Sequence, residues 1–80
     1  QSTVAQWIAM NRIAELHATH AWPTEGTSSG VDTMANSDWY WEIKVMNTAE
    51  EDMRRIKVGV KKGKEDKTNI VSIEAYLGKP

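Results

Sequence analysis

The stretch DWYWEIKVM, Asp38 to Met46, alternates strictly: Trp39, Trp41, Ile43 and Val45 fall on one face, and Tyr40, Glu42, Lys44 and Met46 fall on the other. A period of two with aromatic and β-branched residues on one side is the mark of a strand that buries one face. The two tryptophans therefore belong with the aliphatic residues of an inner face rather than with a ligand. In a chain without phenylalanine or cysteine they supply the bulk that a small core needs.

Working outward, NTAEED turns the chain and RRIKVGVK repeats the pattern, with Ile56, Val58 and Val60 inward. The charged stretch KKGKEDK makes a second turn, and NIVSIEAYL closes the set with Val71, Ile73, Ala75 and Leu77 on one face. Strands are thus expected at about 38–47, 54–62 and 69–77. Their short connections imply an antiparallel meander with one polar face. The intervening stretch from Trp22 to Ser37, WPTEGTSSGVDTMANS, has turn residues throughout and no sustained period, and is read as an irregular loop over 22–37.

Upstream, residues 2–20 contain no proline or glycine and read as one helix that ends before Trp22-Pro23. Its apolar residues form two arcs. Ala5, Ala9, Ile13 and Leu16 make the first, and Val4, Trp7, Ile8, Met10, Ala14 and Ala18 make the second. A helix lying on one sheet needs only one arc, so the second is expected to face a partner, with Asn11 placed beside it. Ile13 and Leu16 join Trp39, Trp41, Ile43, Val45, Ile56, Val58, Val60, Val71 and Ile73 as the expected core. The whole is a single α+β domain, residues 1–80, with one helix packed on an antiparallel sheet.

An 80-residue chain buries only ~60% of the surface its unfolded form exposes, and this one has no cysteine for a disulfide and no Cys/His cluster for zinc. A net charge of −1 gives no field for drawing in nucleic acid. Aromatic and basic residues do occur together, and Tyr40, Arg54 and Arg55 give the alternative reading, a small binding module for an extended polymer. Trp39 and Trp41 nonetheless alternate with aliphatics, and acidic residues interrupt the basic ones, so no nucleic-acid partner is expected. GTSSG, Gly26 to Gly30, lacks the Lys-Ser/Thr ending of a phosphate loop. His17 and His20 have no third ligand at hand, and no catalytic set of nucleophile, base and carboxylate can be assembled. No enzyme activity, metal or cofactor is expected. The chain begins at Gln1 and holds no apolar run near the ~20 residues of a membrane span, so any anchor is expected to precede it.

WIAMNRIAEL (Trp7 to Leu16), Trp22-Pro23, a glycine-containing loop to Gly30, Trp39-Tyr40-Trp41 and TAEEDMRRIKV (Thr48 to Val58) occur in this order. That succession resembles the minor pseudopilin I subunits of bacterial type II secretion systems over nearly the whole chain. The resemblance implies a pilin-like fold and a non-catalytic role in the periplasm, as part of a protein held in the inner membrane by a longer N-terminal helix. It further implies assembly with the minor pseudopilins J and K at the tip of the pseudopilus, where the complex helps to initiate pseudopilus assembly. No acidic loop of calcium-ligand spacing is present.

Overall fold

The computed structural model describes residues 2–80. Helix α1, Ser2–Ala18, is followed by four strands: β1 Gly26–Met34, β2 Ser37–Asn47, β3 Met53–Lys61 and β4 Val71–Gly78. They form one antiparallel sheet in the order β1-β2-β3-β4. One helix on a meander is the α+β architecture that the alternation implies.

Two features differ from the reading of the sequence. The helix stops at Ala18 rather than near residue 20, because His20 turns into the left-handed region at φ 53°. Its N–H reaches the His17 carbonyl at 3.1 Å, and Ala21 N–H reaches that of Leu16 at 2.9 Å. This pair of bonds is a Schellman motif, closed here without the usual glycine. The larger correction lies in residues 22–37, where the expected loop holds the nine-residue strand β1. A two-residue turn, Ala35 at φ 55° and Asn36 at φ 61°, joins it to β2. Positive φ at both central residues is a type I′ turn, whose twist suits a hairpin.

β1 leaves no alternation in the sequence because its sheet face has nothing apolar to bury over most of its length. Helix α1 packs on β4 and β3 and only grazes β2. A helix about 10 Å across covers about two strands at ~4.8 Å spacing. Gly26, Ser28, Gly30 and Asp32 of β1, which register with Val45, Ile43, Trp41 and Trp39, thus share the helix side of the sheet without lying under the helix. Alternation requires a buried face, and β1 has little of one.

The core sits between α1 and the middle of the sheet: Ala5, Ile8 and Ala9 from the helix, Trp39, Ile43 and Val45 from β2, Ile56, Val58 and Val60 from β3, and Leu77 from β4. Ile13, Leu16, Trp41, Val71 and Ile73 pack against this cluster and are partly buried. On the opposite face, Lys44, Lys57 and Glu74 stand in one row across β2, β3 and β4, leaving that side polar.

Candidate partner-binding surface

Of the second helical arc, two members face inward. Ile8 is 1% exposed and belongs to the core, while Val4 is partly buried against it. The sequence pattern places both in partner contact, and the structure corrects this by putting Ile8 in the core and Val4 against it. A helix resting on a sheet buries a stripe of about 100° or more, and Ile8 lies one turn along from both Val4 and Ala5. The remaining residues do lie outside: Trp7 is 57% and Met10 54% exposed, and Asn11, Ala14 and Ala18 are exposed as well.

Reduced to these, the arc becomes a sharper pattern. Trp7, Asn11, Ala14 and Ala18 follow one another at steps of four, three and four along α1. Such spacing forms the straight seam by which one helix lies along another. Trp7 supplies bulk at one end, and the two alanines let a neighbouring backbone come close at the other. Asn11 is the polar member, the type of seam residue that fixes register at some cost in stability.

The helix is held in this attitude by Arg12. Its guanidinium stacks 4.2 Å from the centre of the Trp41 ring and bonds to Asp32 Oδ1 at 2.5 Å, with Glu15 at 3.6 Å. The Trp41 indole N–H also donates to Asp32 Oδ1, at 3.3 Å. One half-buried cluster thus links α1, β1 and β2. The Trp41 ring lies against Gly30, where a Cβ would stand 2.4 Å from it, so glycine is required there. Trp39 is 7% exposed and donates its indole N–H to the Met34 carbonyl at 2.9 Å, fastening the β1-β2 hairpin.

At the other end of the helix, His17 Nε2 donates to the Tyr76 carbonyl at 3.0 Å. This histidine ties α1 to β4. Among the described residues no group of three His, Cys, Asp or Glu side chains is placed to hold a metal. Nor do Tyr40, Arg54 and Arg55 form a polymer-binding surface. Arg54 stacks on Trp22 at 4.3 Å and donates to the Pro23 carbonyl, so it closes the linker on the helix side. Arg55 lies on the opposite face against Met46 Sδ at 3.6 Å, six residues along β2 from Tyr40, or ~20 Å. The three residues share no site.

A family model for protein I of the type II secretion system matches residues 1–78. The chain belongs to this family. Type II secretion protein I of Pseudomonas aeruginosa is 43% identical over 58 residues, which are 72% of this chain and 45% of the relative. Protein I of Dickeya chrysanthemi is 30% identical over 80 residues, all of this chain and 64% of the relative. Measured against these protein I sequences, the chain spans about half to two-thirds of their length. A chain in the crystal structure of the GspK-GspI-GspJ complex from the type 2 secretion system of enterotoxigenic Escherichia coli superposes with a TM-score of 0.72, covering 92% of this chain and 88% of that one. At 24% identity that likeness concerns the fold. No helix among the described residues is long and apolar enough to cross a membrane.

Proposed function

We propose that this chain is the periplasmic domain of a minor pseudopilin, a subunit that acts by assembly and not by catalysis. The observation that carries the reading is the exposed seam Trp7, Asn11, Ala14 and Ala18, a helix-binding stripe left open on a helix whose other side is already packed. Family membership supplies the setting, type II protein secretion. The Escherichia coli complex, which contains GspK, GspI and GspJ, supports the J and K subunits as the partners. In this reading the full-length protein is anchored in the inner membrane by a segment preceding Gln1, and α1 continues that helix into the periplasm. Lying along its neighbours at the pseudopilus tip, α1 helps to initiate assembly. Mixing the chain with the soluble domains of J and K from the same bacterium should give a stable larger species by size exclusion with light scattering. If each domain elutes alone at concentrations well above the micromolar range typical of weak complexes, the reading fails.

A further inference from the structure

The other unfilled feature of the molecule is the outer edge of β1. Because the hairpin turn is two residues long, Met34 and Ser37 form its first hydrogen-bonded pair, and hydrogen-bonded pairs then alternate along the strand. Gly26, Ser28, Gly30, Asp32 and Met34 therefore spend their N–H and C=O groups on β2. Thr27, Ser29, Val31 and Thr33 point theirs outward. Natural sheet edges are normally protected by lysine, proline, a bulge or a covering element. β1 has none of these: GTSSGVDTM carries one charge, Asp32, and that is held by Arg12. The opposite edge differs, since α1 reaches over to engage β4 through His17 and the Tyr76 carbonyl.

We propose that the free edge of β1 pairs with the same edge of a second copy of this chain, antiparallel and centred on Gly30, to give a continuous eight-stranded sheet. The strand is complementary to itself in that register. Thr27 falls opposite Thr33 of the second copy and Ser29 opposite Val31, so all four outward residues bond in pairs and make about eight backbone hydrogen bonds. Registers shifted by two residues leave one outward residue of each copy unpaired. On the helix side Gly30 meets Gly30, and Asp32 meets Ser28, a hydroxyl donor, rather than another carboxylate. Neither face brings like charges together. The helices leave the edge accessible, because α1 of each copy packs over β3 and β4, and it is the Arg12 side chain that reaches Asp32 of β1. With Val31, 51% exposed, as the main apolar side chain outside, the pairing is weak and concentration-dependent.

Sedimentation equilibrium of the 80-residue chain should show a monomer-dimer equilibrium. NMR on a mixture of differently labelled chains should give contacts between Thr27 of one copy and Thr33 of the other. Ser29→Pro removes an outward N–H that β2 does not use, and Val31→Lys restores the missing edge protection. Each should lower the association constant at least about tenfold at an unchanged melting temperature, as expected for loss of one or two hydrogen bonds or for like charges brought to diagonal positions across the junction. Ala14→Glu, on the helix seam, should leave the association intact. A chain that stays monomeric up to about 1 mM, the weak end of measurable pairing, overturns the proposal. So does a dimer that survives Val31→Lys, or one that Ala14→Glu abolishes. Should Ser29→Pro fail to fold, Val31→Lys and the labelled mixture still decide the matter.

Discussion

His20 occupies a backbone conformation that its side chain disfavours. A left-handed residue with a Cβ costs roughly 1–2 kcal/mol, and only glycine adopts that region without the penalty. The two capping bonds hold the backbone there, but the side chain is exposed and makes no hydrogen bond among the described residues, so the imidazole itself offsets none of the strain. His20→Gly should stabilise the domain by ~0.5–1 kcal/mol, the gain being reduced by the greater freedom of glycine in the unfolded chain. In a domain this small that is a rise of about 2–8 °C in melting temperature, readable by circular dichroism. An unchanged or lower transition would mean that the imidazole makes a stabilising contact. Trp41 is the contrasting residue. Its inward orientation follows from alternation with Ile43 and Val45, whereas its position at the margin of the core, beneath Arg12 and over Gly30, could be seen only once β1 was in place.

At the scale of elements, the hairpin shows what could and could not be read. β2, β3 and β4 were legible because each has a face that the helix or its neighbours cover, and coverage imprints a period of two on the sequence. Ends were legible only to within one or two residues: β3 begins at Met53 and β4 at Val71, since pairing and not polarity sets where a strand starts. β1 has only a short, largely polar covered stretch to imprint, and its turn lacks the Asn-Gly or Asp-Gly pair that usually announces type I′ geometry. Ala35 and Asn36 instead hold it at positive φ, both exposed. The double substitution Ala35→Asn with Asn36→Gly installs the favoured pair and should stabilise the hairpin by about 1 kcal/mol. Slower amide exchange in β1 together with a raised melting temperature is the expected result. A destabilised double variant would show that the turn departs from type I′ geometry.

For the molecule as a whole, the proposed function gives the exposed seam on α1 and the core beneath it different duties on one helix, and two substitutions should separate them. The arc expected from the sequence is too wide, because a helical projection cannot tell how far a sheet wraps around the helix: Ile8 and Val4 lie within its reach, Ala14 does not. Ile8→Glu puts a carboxylate into a side-chain position that is 1% exposed, where no partner exists to compensate its desolvation. The isolated domain should lose about 3–5 kcal/mol, enough to unfold most of its molecules. Ala14→Glu places the same group on the exposed seam. Helix propensity is nearly kept, so the isolated domain should melt within ~0.5 kcal/mol of the parent. In complex with J and K the carboxylate would be sealed into an apolar seam, and assembly should fail. Thermal melts of both variants, followed by size exclusion with the partner domains, make the comparison direct. If Ala14→Glu melts as the parent and still assembles, the partners bind elsewhere on the domain, and the seam is only a solvated face of the helix.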